Sequence, residues 1–168
     1  MDRLAAESFK TQQRVEEPHE VLTLFTQLMY GYLPKFYQID TKEKEPFQTK
    51  FKNEFSYDCG GPMRDTLLQI CEELMSPVLP LFKPTANNRS SIEPETDCYQ
   101  LNEKCTEPHN LLKLSFCGYL LGWSLMSIGS LNLDFPSAFY TRLCHGLDYT
   151  YTLSDIFSMD KLLANRLE

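Results

Sequence analysis

The sequence lacks long apolar runs, and it also lacks clusters of basic residues. Its longest apolar stretch, LSFCGYLLGWSLMSI from Leu114 to Ile128, is shorter than the about 20 residues that a bilayer-spanning helix needs. The chain has 16 Lys and Arg against 23 Asp and Glu, a formal net charge of −7. Because neutralising phosphates requires a basic surface, we expect neither a membrane span nor a nucleic-acid partner.

An apolar signal region is also absent from the first residues, MDRLAAESFK. Six cysteines could form three disulfide bonds in a secreted protein. However, Cys71, Cys117 and Cys144 lie in apolar helical patterns, where a free cysteine behaves as a small hydrophobic residue. We therefore expect a reducing compartment, the cytosol or the nucleus.

What the sequence does contain is ordinary globular composition, with 42% apolar and 12% aromatic residues, enough for one domain with a core. In the first half, helical spacing after Pro18 predicts a helix ending near residue 30. FQTKFKNEFSY, residues 47–57, alternates apolar and polar side chains and predicts a half-buried strand. Gly60 and Gly61, with their tolerance of positive φ, and Pro62 then predict a sharp turn into a helix that runs on from Met63.

The second half is predicted to be largely helical. Residues 76–95 contain four prolines and predict a long irregular loop. A helix is predicted from Asn110 to Gly129, with Gly118 and Gly122 leaving one side bare for close helix packing. A short helix from Pro136 to Cys144 and one more helix at the C-terminus complete an α+β fold that is mostly α-helical.

The glycine pair raises the possibility of a phosphate-binding loop. DCGGPMRD lacks the spaced glycines and the Lys-Ser/Thr of such loops, so a structural corner is the better interpretation. Arg64 and Asp65 could point into a cleft, but an acidic residue near the start of a helix is already favourable there, and Arg64 could equally pair with Asp58.

The remaining candidates are cysteines and histidines. Cys144 and His145 are adjacent, so on a helix their side chains diverge by about 100° and cannot form a catalytic pair, and His19 is expected at the surface. A zinc site lacks the short ligand pairs that hold a tetrahedral metal, so we predict no catalytic, cofactor-binding or metal-binding residue. The zinc ligands considered were Cys98, Cys105, His109 and Cys117.

Several segments, in order, resemble the N-terminal lobe of the HECT family of ubiquitin ligases. DCGGPMRD is similar to the glycine corner of that family, and the resemblance covers residues from about 47 to 167, closest to the very large HECT ligases. It is carried by FQTKFKNEF, DCGGPMRD, TLLQICEELM, LFKPTANN, FCGYLLGWSLMSIGSLNLDFPSAFYTRL and YTLSDIFSMDKLLANRL.

The resemblance implies a two-lobed transferase. Its N-terminal lobe recruits a ubiquitin-charged conjugating enzyme, and its C-terminal lobe carries a cysteine that accepts ubiquitin as a thioester and passes it to substrate lysines. Cysteine suits that step because the thiolate is both nucleophile and leaving group. None of the six cysteines here lies in the Thr-Cys context of the family's nucleophile.

Two domain segments are therefore expected: residues 1–46 as an N-terminal helical extension with a charged connector, and residues 47–168 as the first part of a HECT N-lobe. The catalytic C-lobe and the subdomain that docks the conjugating enzyme are expected to lie outside the 168 residues, and no cofactor is implied. The alternative is a non-catalytic helical module that binds a partner protein.

Overall fold

A computed structural model describes residues 1, 23–32, 47–52, 61–126 and 131–168 of the chain. In order, the described elements are α1 (Leu24–Tyr32), α2 (Gly61–Leu74), β1 (Phe82–Pro84), α3 (Ala86–Ser90), β2 (Tyr99–Leu101), α4 (Pro108–Met126), α5 (Ser137–His145), α6 (Leu153–Met159) and α7 (Lys161–Leu167). The mostly helical α+β class predicted from the sequence is confirmed. The chain divides into two compact units: Met1–Leu81 with Lys104–Asn132, and Phe82–Glu103 with Leu133–Glu168.

The first unit is built on apolar faces of α1, α2 and α4. Phe25 of α1 meets Phe116 of α4 edge to face, with ring centroids 5.5 Å apart. Trp123 is only 2% exposed, and its ring centroid lies 6.1 Å from that of Phe47. These contacts join α1 and residues 47–52 to the long helix α4. The other buried apolar side chains of the three helices are Leu24, Leu28, Met29, Met63, Leu67, Ile70, Cys71, Leu74, Cys117 and Leu120.

The structure differs from the strand that was predicted over residues 47–57. Phe47, Thr49 and Phe51 are buried and the residues between them are exposed, so the predicted alternation is confirmed. Residues 47–52 nevertheless form no strand. In this region the Met1 amino group donates to the Lys50 carbonyl and the Met1 carbonyl accepts from Lys52 N–H, both at 3.0 Å. Residues 53–57 lie outside the described part.

The glycine positions differ from the sequence prediction in two places. Gly61 is the first residue of α2 and has no positive φ, while Gly60 lies outside the described residues. Gly118 and Gly122 were expected to lie against another helix. Both are exposed, and a Cβ added to either would meet nothing within 4 Å. The bare side of α4 is therefore its outer face, and the predicted close packing there is wrong.

The second unit contains the two-stranded sheet, in which β1 pairs antiparallel with β2 so that Phe82 faces Leu101 and Pro84 faces Tyr99. β1 and α3 lie within residues 76–95, the segment that was predicted to be an irregular loop, and β2 follows that segment. The prediction was wrong because Thr85 caps α3, its side chain accepting a hydrogen bond from Asn88 N–H. The prolines of this segment therefore do not prevent secondary structure, and Pro84 is the last residue of β1.

The C-terminal half of this unit is helical. α5 starts after Pro136 and ends at His145, and Gly146 follows with a φ of +79°, which glycine adopts readily. The single predicted C-terminal helix is in fact two, α6 and α7. Asp160 separates them, because its carboxylate accepts from Leu163 N–H at 2.9 Å and starts a new helix.

Candidate functional site

The described cysteines are free thiols, and two of them, Cys98 and Cys117, lie in environments that disfavour the thiolate. Burial, and secondarily Cys71, raises the pKa of Cys117 to about 12. Burial together with the charges of Glu95, Asp134 and Asp97 raises the pKa of Cys98 to about 11. Both are therefore protonated and weakly nucleophilic at neutral pH. The free thiols are Cys71, Cys98, Cys105, Cys117 and Cys144, while Cys59 lies outside the described residues.

The sequence candidates for metal binding and nucleophilic catalysis are not brought together. Within the described ranges no group of three or more His, Cys, Asp or Glu could hold a metal ion. Cys105 is buried and donates its thiol proton to the Pro80 carbonyl at 2.8 Å. The ring of His145 stacks on Tyr149 with centroids 5.3 Å apart, and Cys144 is exposed.

The residues around the glycine corner also form no described cleft. Arg64 is exposed and Asp65 is half-buried on the first turns of α2. Asp58, the partner proposed for Arg64, and His19 lie outside the described residues. The described part of the glycine corner is therefore the first turn of α2.

Instead, the polar groups of the second unit converge on Asn87, which is 1% exposed. Its Nδ2 donates to the carbonyls of Pro94, Phe157 and Ser158 at 3.0–3.1 Å, and its Oδ1 accepts from Lys161 N–H at 2.8 Å. The Asn87 amide thus binds backbone groups at the end of α6 and at the start of α7, which lie 70 or more residues after Asn87 in the chain. Buried backbone groups need such partners.

Asp155 organises a second polar cluster at the start of α6. Asp155 and Thr152 form a capping box, and the Asp155 carboxylate also accepts from the Tyr149 hydroxyl at 2.6 Å. That hydrogen bond is the main reason why the pKa of Asp155 is lowered and the pKa of Tyr149 is raised. Arg142 of α5 donates to the Tyr149 carbonyl, so the cluster connects α5 to α6.

Glu95, which lies between α3 and β2, forms a third polar cluster at the start of α5. α5 begins at Pro136, which makes no side-chain capping bond, and the Glu95 carboxylate accepts from Ser137 N–H at 3.1 and 3.3 Å. The three clusters use their polar atoms to fix helix ends.

Sequence reasoning placed LFKPTANN and YTLSDIF in significant motifs but did not find the roles of Asn87 and Asp155. The signal for Asp155 is present in the sequence, because Thr-Leu-Ser-Asp has the spacing of a capping box. The partners of Asn87 could not be found locally, since three of its four bonds reach residues 157–161.

The same unit exposes several large apolar side chains. Leu147 is 90% exposed, and further exposed residues lie on α5, α6 and α7 or between them. They are Tyr140, Leu143, Tyr151, Leu153, Leu162, Leu163 and Leu167. When large apolar side chains form one contiguous exposed patch, they mark an interaction site more often than leucines that are exposed singly.

Comparison with known proteins agrees with the motifs. The family model described as HECT-domain (ubiquitin-transferase) matches residues 68–168, which include Asn87, Glu95 and Asp155. The chain belongs to the HECT family. The resemblance seen in the sequence is therefore confirmed. The HECT-matched residues, 68–168, contain all of the second unit and also the long helix α4.

The chain is 30% identical over 115 residues to the E3 ubiquitin-protein ligase HERC2 of Mus musculus and to that of Homo sapiens. Each alignment covers 68% of this chain but 2% of the relative. Identity to the E3 ubiquitin-protein ligase ptr1 of Schizosaccharomyces pombe is 26% over 110 residues, which is 66% of this chain and 3% of that relative. The chain thus spans a very small part of these large HECT relatives.

No helix in the described ranges is long and apolar enough to cross a membrane.

Proposed function

We propose that the 168-residue chain is part of the N-terminal lobe of a HECT-type ubiquitin-protein ligase, and that its own role is to act as a scaffold. In the whole protein, ubiquitin would pass through a cysteine thioester to substrate lysines. The observation that carries this proposal is the HECT match over residues 68–168. Residues 47–168 would form the first part of the lobe, and residues 1–46 an N-terminal extension.

The scaffold role rests on the geometry of the polar clusters. Asn87, Glu95 and Asp155 each use their side chains on backbone groups at helix ends. The raised pKa values of Cys98 and Cys117 disfavour the thiolate that a thioester step needs. A different part of the whole protein would therefore supply the nucleophile.

The partners proposed for the whole protein are a ubiquitin-conjugating enzyme, ubiquitin and protein substrates. Membership of the HECT family supports them. The net charge of −7 argues against a nucleic-acid partner, and the free described thiols are consistent with a cytosolic or nuclear location.

A ubiquitin-loading assay tests the proposal. The 168-residue chain and the full-length protein are each incubated with activating enzyme, a panel of conjugating enzymes, ubiquitin and ATP. We expect a reductant-sensitive ubiquitin adduct on the full-length protein and none on the 168-residue chain. An adduct on any of the six cysteines of this chain, or none on the full-length protein, would contradict the proposal.

The second candidate function is a non-catalytic helical module that holds a partner protein. The exposed leucines of α5 to α7 favour it. The two functions differ in the reading frame that follows residue 168, because a ligase requires a further lobe with a Thr-Cys motif. They also differ in the effect of Leu162→Asp, which would abolish partner capture by a binding module that transfers no ubiquitin.

A further inference from the structure

Tyr149 lies in the loop between α5 and α6 and contacts both helices. On the α5 side, Arg142 donates a hydrogen bond to the Tyr149 carbonyl, and the ring of His145 stacks on the Tyr149 ring with centroids 5.3 Å apart. On the α6 side, the Tyr149 hydroxyl donates to the Asp155 carboxylate at 2.6 Å. Tyr149 therefore links the end of one helix to the start of the next.

The carboxylate that accepts from Tyr149 is charged at neutral pH. The hydrogen bond from Tyr149 is the main reason why the pKa of Asp155 lies below its ordinary value of 3.8. Asp155 is 9% exposed, and its Oδ2 also accepts from the N–H and the hydroxyl of Thr152, both at 2.7 Å. A second negative charge at the Tyr149 oxygen would thus lie against an ionised carboxylate that has little water around it.

The loop that carries Tyr149 is open to solvent. Leu147 is 90% exposed and Tyr151 is 46% exposed, Asp148 is exposed, and the Tyr149 side chain is half-buried. A modifying enzyme can therefore reach this loop. Tyr151 is a natural comparison, because its ring lies edge to face with that of Tyr149, 5.9 Å away, and within the described ranges its hydroxyl makes no hydrogen bond to a carboxylate.

We propose that Tyr149 is a phosphorylation site and that its modification releases the start of α6. A protein tyrosine kinase would supply the reaction with ATP as the phosphoryl donor. The Tyr149 hydroxyl oxygen forms a bond to the γ-phosphorus as the bond to ADP breaks, and the phenolic proton passes to the kinase's base. The product has a charge of about −1.5 to −2 and no hydroxyl proton left to donate.

Phosphorylation would change which helix Tyr149 binds. The phosphate loses the hydrogen bond to Asp155 and is repelled by that carboxylate, whereas the two basic side chains that contact Tyr149, Arg142 and His145, both belong to α5. The start of α6 then keeps only its bonds to Thr152. This inference goes beyond the proposed scaffold role and does not depend on ubiquitin transfer, so the loading assay and the tests below can fail separately.

The site itself is tested by incubating the full 168-residue chain with ATP and a panel of protein tyrosine kinases, and by locating the phosphate with mass spectrometry. We expect phosphate on Tyr149 in the unaltered chain and in Tyr151→Phe. The Tyr149→Phe chain is the control and should give no phosphate at position 149. If no kinase of the panel modifies Tyr149 in the folded chain, the proposed site is wrong.

The consequence is tested by hydrogen exchange of Y151F before and after phosphorylation, since Tyr149 is then the modified residue of the loop. We expect exchange in residues 153–159 to rise by roughly tenfold or more, and exchange in residues 86–90 to stay unchanged. Unmodified Y149F, which loses the hydrogen bond without gaining charge, should show a smaller rise in residues 153–159.

Two results of the exchange experiment would overturn the proposal. One is unchanged exchange in residues 153–159 once Tyr149 carries phosphate, which would mean that its bond to Asp155 does not hold the start of α6. The other is an equal rise throughout residues 82–103 and 133–168, which would mean that the phosphate unfolds the second unit as a whole.

Discussion

The two compact units are stabilised in different ways. In the first, apolar side chains of α1, α2 and α4 pack around Phe25, Phe116 and Trp123. In the second, aromatic contacts such as Phe82 with Phe135, 4.9 Å apart, are joined by polar clusters at Asn87, Glu95 and Asp155. Apolar packing tolerates many sequences, whereas a hydrogen-bonded cluster requires particular atoms in particular places.

The largest effect is expected from Phe116→Ala in the first unit. Phe116 is 1% exposed and meets Phe25, so its removal leaves a cavity and should lower the free energy of unfolding by about 3–5 kcal/mol. Urea unfolding followed by Trp123 fluorescence measures this. The control is Leu125→Ala on the same helix, because Leu125 is 87% exposed. A loss below about 1 kcal/mol in F116A would show that this core does not hold the unit.

A somewhat smaller effect is expected from Asn87→Ala in the second unit. The change leaves three carbonyls and Lys161 N–H without the amide that satisfies them. We expect a loss of roughly 2–4 kcal/mol and faster hydrogen exchange at the start of α7.

Asn88→Ala is the matched control for Asn87→Ala, since Asn88 is the neighbouring residue of the same type on α3 and is less buried. If N87A and N88A proved equally mild, the polar cluster would contribute little, and the contrast between the two units would fail.

A smaller effect that depends on pH is expected from Asp155→Asn. The folded-state pKa of Asp155 lies below its ordinary value of 3.8. Its stabilising contribution is therefore complete above that ordinary value and is lost as the pH falls through the folded value. D155N should cost about 1 kcal/mol at pH 7.

The comparison of Asp155→Asn with the unaltered chain is made by unfolding at a series of pH values from 7 to below 4. The difference between the two should shrink as the pH falls below about 4. Asp148→Asn, at an exposed neighbouring position, should show no such convergence. A constant difference across the series would mean that ionised Asp155 is not what stabilises the start of α6.

The smallest effect is expected from Gly122→Ala on α4. Because a Cβ at Gly122 meets nothing within 4 Å, the gain in helix propensity should stabilise the chain by about 0.5–1 kcal/mol. Gly146→Ala is the opposite case, since φ is +79° there, and it should destabilise by roughly 1 kcal/mol. Thermal unfolding distinguishes the two. Destabilisation by G122A would indicate that the outer face of α4 is covered in solution.

The contrast between the units also explains what could be predicted from the sequence. Periodicity located α2, α4 and α5, because the spacing of apolar residues along the chain shows which residues share a helix face. Three of the four partners of Asn87 could not be predicted, since they lie 70 to 74 residues away. Gly118 and Gly122 were misplaced because spacing shows that a side is bare but does not show what lies against it. Membership of the HECT family came from ordered motifs and needed no knowledge of these contacts.

Asn87 also affects when the second unit can reach its folded form during synthesis. The amide must wait for Lys161, 74 residues later, and at about 5–20 residues per second that interval is roughly 4–15 s on the ribosome. Until then β1, β2 and α3 lack the helices α6 and α7, and a nascent chain with open sheet edges is a natural substrate for chaperones. A single amide therefore ties the maturation of the second unit to residues that are translated 74 positions later.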